Sequence, residues 1–178
     1  MARTGAISPD QAAGWLSTMA AELKQLLAAR HADKKPRIVG IRTGGVVVAK
    51  ALHEQLELPE PHGELNISFY RDDFSRVGLH PQVGASAIPF AIDDEVIILV
   101  DDVLYSGRTI RAAMNEIFDF GRPERIILAT LVSRSEGREL PISADVCGAE
   151  LSLPAHQNFK LQSDLGLTIE ARTCQPQS

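Results

Sequence analysis

Apolar residues first recur at helical spacing between Ser8 and about Arg30, where Trp15, Met19, Leu23, Leu26 and Leu27 share one side of a 3.6-residue repeat. Ser8-Pro9-Asp10-Gln11 opens that stretch with an N-cap serine, a proline at the first helical position and a glutamine placed to complete a capping box. A polar turn, His31 to Pro36, leads into the short apolar run Arg37 to Ile41, which reads as a buried strand. After the turn Arg42-Thr43-Gly44-Gly45, the spacing predicts a helix from Val46 to about Leu56. Leu65 to Tyr70 alternates apolar and polar, as a strand exposed on one face does. Residues 71–88 carry little periodicity, and a loop of that length in a small domain is usually functional or mobile.

The clearest buried strand is Ile97-Ile98-Leu99-Val100, followed by a polar loop and a helix from Thr109 to about Phe120. Ile110, Ala113, Met114 and Ile117 form that helix's apolar stripe, Gly121 ends it, and Arg125 to Val132 is the next strand. Beyond Glu139 the pattern changes to short β-like pieces around Pro141 and Pro154, which predicts a small appended lobe. Strands alternating with helices indicate an α/β fold with a mostly parallel central sheet, and ligands then bind beyond the carboxyl ends of its strands. Both sharp loops, 42–45 and 101–108, fall at such ends.

Composition narrows the class. At 178 residues, 44% hydrophobic and 23% charged, the chain suits one domain, and its composition excludes disorder, collagen-like repeats and coiled coil. No apolar run approaches the roughly 20 residues needed to cross a bilayer, and no basic-then-apolar leader opens the chain, so a cytoplasmic protein with no membrane partner is expected. Cys147 and Cys174 make no metal-spacing pattern and read as free thiols. The net charge of −5 is uneven: residues 61–120 hold ten acids against four Lys/Arg, whereas residues 1–60 hold eight Lys/Arg against six acids. An acidic middle is either solvated surface or a site for a cation or for sugar hydroxyls.

One segment favours a site. A buried strand delivers Asp101 and Asp102, and Val103-Leu104-Tyr105-Ser106-Gly107-Arg108-Thr109 then opens a helix. The unpaired amides of a helix start attract an anion, Ser106 and Thr109 add hydroxyl donors, and Gly107 lets the backbone approach a phosphate. Two carboxylates would repel that phosphate but can accept hydrogen bonds from a diol. An isolated Asp-Asp more often just caps its helix; here the anion seat and the diol acceptor lie side by side, as a ribose 5-phosphate requires.

These thirteen residues, Ile97 to Thr109, resemble the phosphoribosyl-pyrophosphate signature of type I phosphoribosyltransferases. Purine-specific members commonly carry a further acid where this chain has Tyr105. The run Asp101 to Met114, Gly-Arg-Pro at 121–123, Arg-Glu-Leu-Pro-Ile at 138–142, Tyr70-Arg71-Asp72-Asp73 and Gly40-Ile41-Arg42-Thr43 look like the pyrimidine-operon regulator / uracil phosphoribosyltransferase family, in order from about residue 38 to 148. The resemblance implies the type I phosphoribosyltransferase fold as a single domain over residues 1–178, with a core over about 8–140 and a small C-terminal hood lobe over about 141–175. It also implies the reaction of uracil with phosphoribosyl pyrophosphate to give UMP and pyrophosphate.

On that resemblance Asp101 and Asp102 bind the ribose hydroxyls and the loop after them holds the 5′-phosphate. Residues 40–45 form the pyrophosphate loop through the amides of Thr43 and Gly44, with Arg42 either assisting or serving as a surface charge. Arg71 opens the segment that folds over the site, and either neutralises the diphosphate or pairs with its acidic neighbours. Arg138 is a candidate base contact, and Phe159 either stacks on the base or packs in the core. Mg²⁺ is expected on substrate oxygens and water, so no metal-binding residue is named. A homodimer or higher homo-oligomer is implied, as is UMP-dependent binding of pyrimidine-operon leader RNA, for which Lys24, Arg30, Lys34, Lys35 and Arg37 are the available cations. The alternatives are a regulator that uses the site as a UMP sensor with little catalysis, and transfer to another base. The chain departs from the family pattern at Gly44, where many members have Arg, at Ser133-Arg134-Ser135-Glu136-Gly137, which replaces Asp-Arg-Gly-His, and after Gly148.

Overall fold

A computed structural model describes residues 6–67 and 84–171. The first helix, α1 (Pro9–Arg30), starts as its sequence predicts: the Ser8 hydroxyl accepts from the Gln11 amide at 3.2 Å, and the Gln11 side chain accepts from the Ser8 amide at 3.1 Å. Its buried line is Ala12, Leu16, Met19, Ala20 and Leu23, with Trp15, Leu26 and Leu27 partly buried beside it. The stripe therefore lies one residue round from the one the large side chains suggest, because small alanines can face the sheet closely.

Strand β1 (Arg37–Ile41) leads to α2 (Gly44–Leu56), which begins two residues earlier than expected because Gly44 and Gly45 form its first turn. Strand β2 is only Gly63–Leu65. The expected strand Leu65–Tyr70 is corrected here: Asn66 and Ile67 are not extended into the sheet, and Ser68 to Tyr70 lie outside the described residues. So do Arg71 and most of the expected covering loop.

Strand β3 (Val96–Leu104) is longer than its apolar run, and α3 (Arg108–Phe120) comes after it. Asp101, Val103 and Leu104 pair in register with Thr130, Val132 and Ser133 of β4 (Arg125–Arg134). The expected polar loop at 101–108 thus shrinks to Tyr105–Gly107, since parallel pairing carries the strand through its own acids.

All of these strands and β5 (Val146–Leu151) form one parallel sheet in the order β2-β1-β3-β4-β5. Helices α1 and α2 cover one face with Ile38, Ile98, Val100 and Ala129, and α3 covers the other with Val39, Ile97, Leu99 and Leu128. A strand covered on both faces needs apolar side chains at every position, which is why 97–100 reads as a continuous run rather than an alternation. The sheet runs on to Leu151, past the core boundary expected near 140. After β5 the chain forms a small antiparallel pair, β6 (Gln157–Leu161) and β7 (Leu167–Ala171), to which Ile7 adds an isolated bridge at Leu167. Phe159 and Leu167 pack this pair into the core beneath α1.

Candidate active site

The chain order reverses direction across the sheet between β1 and β3: β1 is followed outward by β2, whereas β3 leads to β4 and β5 on the other side. The connections leaving two neighbouring strands at such a point diverge and leave a crevice. Here each connection ends in a helix start whose N-cap residue makes no side-chain cap, α2 at Thr43-Gly44 and α3 at Gly107-Arg108. Two sets of outward amides with their dipoles therefore flank one crevice, a suitable arrangement for a ligand bearing two anionic groups.

Glycines hold the two connections together. A Cβ on Gly45 would lie 2.5 Å from the Val100 carbonyl, and one on Gly44 would lie 2.0 Å from Oδ2 of Asp102. The departure at Gly44 thus has a local reason: its missing side chain is the space that Asp102 occupies. Gly107 has φ +93°, a left-handed conformation that favours glycine, and a Cβ there would press on Leu140 and Ile142.

The two acids are not equivalent. Asp101 is 2% exposed, and its Oδ1 accepts the Asp102 amide at 3.0 Å. Asp102 is only partly buried, and its Oδ1 accepts the Val103 amide at 3.0 Å, with Oδ2 lying over Gly44. Neither acid caps α3, whose N-cap is Gly107. Ser106 Oγ accepts the Arg108 amide at 3.2 Å, and Thr109 sits in the first turn of the helix.

Arg42 reaches away along the sheet edge. Its Nε donates to Glu64 at 2.8 Å, and Lys50 and His62 approach the same carboxylate. Burial alone would raise the Glu64 pKa, but the hydrogen bonds from Arg42 and His62 outweigh it and hold the group below its usual range. Arg42 is therefore part of an ion cluster at the edge of the crevice.

The opposite wall comes from residues 133–142. Arg138 donates to the Tyr105 carbonyl and, at 3.1 Å, to Ser133 Oγ, while burial lowers its pKa. The amides of Glu139 and Leu140 donate to the Ser106 carbonyl at 3.0 and 3.1 Å, and Arg108 Nε donates to Glu139 at 2.6 Å. The structure thus brings Thr43, Gly44, Asp101 to Thr109 and Arg138 together round one crevice. It does not bring Phe159 there: that ring is 8% exposed and part of the core, the second of its two expected placements. Arg71 lies outside the described residues. Gly45, Glu64, Arg134, Glu136, Gly137 and Glu139 were not singled out by the sequence; the one available signal was that 133–137 departs from the family pattern.

Comparison with known proteins places this geometry. The phosphoribosyl transferase domain model matches residues 16–164. The chain is 53% identical over 152 residues to a protein named Bifunctional protein PyrR from Pseudomonas putida (strain GB-1), covering 85% of this chain and 87% of that one. The protein of the same name from Nitrosococcus oceani is 54% identical over 145 residues, 80% of this chain and 81% of that one. Among solved structures, the hypoxanthine phosphoribosyltransferase of Trypanosoma cruzi superposes with a TM-score of 0.69 at 14% identity, covering 93% of this chain and 95% of that one. The hypoxanthine-guanine enzyme of Leishmania tarentolae in complex with GMP gives 0.66 at 14% identity over 86% and 84% of the two chains. At such identities the structural likeness establishes the fold, and the sequence likeness establishes the family.

Proposed function

The chain belongs to the PyrR family of phosphoribosyltransferases, and on that premise we propose that it transfers the ribosyl phosphate of phosphoribosyl pyrophosphate to uracil, releasing pyrophosphate and UMP. The observation that carries the reading is the pair of helix starts on neighbouring strands, with the Asp102 carboxylate between them over Gly44. The amides of Thr43 and Gly44 receive the diphosphate. Ser106, Gly107, Arg108 and Thr109 receive the 5′-phosphate, with Val103, Leu104 and Tyr105 spanning from sugar to base. Asp102 accepts from the ribose hydroxyls, and Asp101, buried behind it, supports that carboxylate's backbone and adds negative potential.

Departure of pyrophosphate leaves positive charge on the ribose ring, as in glycoside cleavage. Fixed carboxylates beside a ring from which water is excluded stabilise that charge far more than they would in bulk solvent. Arg138 faces the base, and Arg71 neutralises the leaving diphosphate. The reading assigns Mg²⁺ to oxygens of the substrate and to water, because Mg²⁺ keeps several waters and takes few protein ligands. There it would neutralise the leaving group.

Regulation of pyrimidine genes through UMP-dependent leader-RNA binding belongs to the same reading. Of the five candidate cations, Lys34 pairs with Glu124, and Arg37 with Glu60 and Glu95. Lys24, Arg30 and Lys35 therefore carry most of the proposed RNA contact. A homo-oligomer is part of the proposal too; Phe118 and Phe120 at the end of α3, 56% and 47% exposed, offer apolar surface for it. No helix among the described residues is long and apolar enough to cross a membrane; a cytoplasmic setting is part of the proposal.

One experiment tests the enzyme reading: turnover of phosphoribosyl pyrophosphate with Mg²⁺ and each nucleobase in turn. Uracil should support turnover well above the other bases. Turnover with hypoxanthine or guanine instead would move the assignment to another base, and none with any base would leave a nucleotide-sensing regulator. Salt-sensitive, UMP-modulated binding to leader RNA tests the second activity.

A further inference from the structure

Arg134, the last residue of β4, is 2% exposed, and a buried guanidinium must find acceptors for its donors. It finds them in the plane of the group and on three separate stretches of chain. Nε donates to Oε1 of Glu136 at 2.7 Å, Nη2 to the Leu153 carbonyl at 2.8 Å, and Nη1 to the Gln157 carbonyl at 2.9 Å and to Asn158 Oδ1 at 3.3 Å. Nη2 also lies 2.5 Å from Oε1 of Glu136, which accepts the Leu153 amide at 3.1 Å. Burial alone would raise the pKa of Glu136, but the hydrogen bonds from Leu153, Arg134 and Ser152 together lower it to about 2, so the carboxylate stays charged throughout the neutral range.

In-plane bonds leave the two faces of the guanidinium open, and one of them lies over the Tyr105 ring, 4.2 Å from its centre. Gly137 holds the same ring from another direction. A Cβ there would lie 2.2 Å from Cε2 of Tyr105, and the φ of +80° at Gly137 brings its backbone that close. Tyr105 is the last of the three residues between Asp102 and the proposed phosphate seat at Ser106, and its own carbonyl is held by Arg138. The orientation of one arginine, set by the small lobe, is thereby passed to the turn that closes the site.

We infer that Arg134 is a positioning residue: by stacking on Tyr105 while bonded to the lobe, it fixes the wall against which the nucleobase sits. The inference rests on the transferase reading for what that wall contacts. It also gives the departure at 133–137 a purpose, since Glu136 orients Arg134 and Gly137 admits the ring. A clamp that merely held the lobe on would affect stability and every kinetic constant alike. A positioning residue acts selectively on the base and acts through Tyr105.

The test uses the full chain as wild type, Arg134→Lys, Tyr105→Leu and the double variant. Lysine keeps the charge but has neither the plane nor the fork of donors. Arg134→Lys should raise KM for uracil about tenfold, the equivalent of losing one desolvated cation–π contact, and leave KM for phosphoribosyl pyrophosphate within about twofold. In the Tyr105→Leu background the same change should add nothing further to KM for uracil. Proteins labelled with ¹³C-tyrosine should show the Tyr105 ring resonance, assigned by its loss in Tyr105→Leu, displaced in Arg134→Lys. Should Arg134→Lys fail to fold, Asn158→Ala removes a single in-plane acceptor and should displace the same resonance to a smaller degree. An unmoved resonance, a parallel rise in both KM values or full additivity with Tyr105→Leu would overturn the inference. A wild-type protein that does not use uracil would overturn the transferase reading instead, and the resonance would still decide whether Arg134 positions Tyr105.

Discussion

On the side of the crevice proposed to hold the phosphates, the groups assigned to the ligand belong to the backbone: the amides of two helix starts, with glycines at 44, 45 and 107 where a side chain would collide. On the side proposed to meet the base they are held by long side chains that cross between chain segments, Arg138 to Tyr105, and Arg134 to Glu136 and the lobe. Backbone donors are the same whatever the sequence around them, so a phosphate seat can stay constant while its surroundings vary. A wall assembled from side chains can be re-cut by a few substitutions. The two sides therefore should answer differently to mutation, the first through rate and the second through recognition of the base.

The largest expected effect lies on the phosphate and ribose side. Asp102→Asn keeps the shape and removes the charge, so kcat should fall by about 10²–10³ while the thermal midpoint stays put. Near-normal turnover in that variant would break the assignment of Asp102. Gly44→Ala comes next. Its methyl would occupy the place of Asp102 Oδ2, and if Asp102 has the proposed catalytic role, displacing it by about 1 Å should cost on the order of 10²-fold in rate. Full activity there, measured beside a crystal structure showing Asp102 turned away, would mean that its present position does not matter.

The base side should yield smaller, selective changes. Arg138→Ala removes a charged donor to the Tyr105 carbonyl and should raise KM for uracil by about tenfold, with kcat/KM for phosphoribosyl pyrophosphate far less affected. Phe159→Leu should cost about 1–2 kcal/mol in denaturant unfolding and leave KM for uracil unchanged, because the ring packs in the core. A changed KM for uracil with unchanged stability would return Phe159 to the base site. The least effect concerns pH. Glu136 has a folded pKa of about 2, below its ordinary value, so it adds stability that is full above about pH 4.5 and lost as pH falls through about 2. Unfolding of Glu136→Gln should accordingly lose part of the wild type's pH dependence in that acid window and keep its shape between pH 6 and 8.

Legibility in the sequence divides along the same line. The run Ile97 to Thr109 disclosed the strand, the helix start and the family, because acids, hydroxyl, glycine and helix start are adjacent in sequence and set by local backbone. The capping box at Ser8 and the stop at Gly121 were legible for the same reason. The end of β3 was not, since nothing in the polarity of Asp101 and Asp102 says that they pair with β4. Nor did Val146 to Leu151 announce itself as the fifth strand of the main sheet: at that edge the burial is mixed, and its partner is fixed only by packing. Arg134 and Glu136 stood in the sequence only as part of a loop that departs from the family pattern, and their bonds to residues 153–158 are what explain them.

By itself, the sequence determined the α/β class, the parallel core and the family, because each is written in local patterns (strand runs, helical stripes and short motifs) whose order along the chain can be read without knowing their contacts. Only the tertiary structure decided that Gly44 makes room for Asp102, that Arg42 turns to Glu64, that Phe159 belongs to the core, and that the lobe reaches Tyr105 through Arg134. The reason is physical: periodicity and motif record how a segment meets its own backbone, whereas the partner of a buried charge is chosen by whichever distant acceptors the fold brings within about 3 Å.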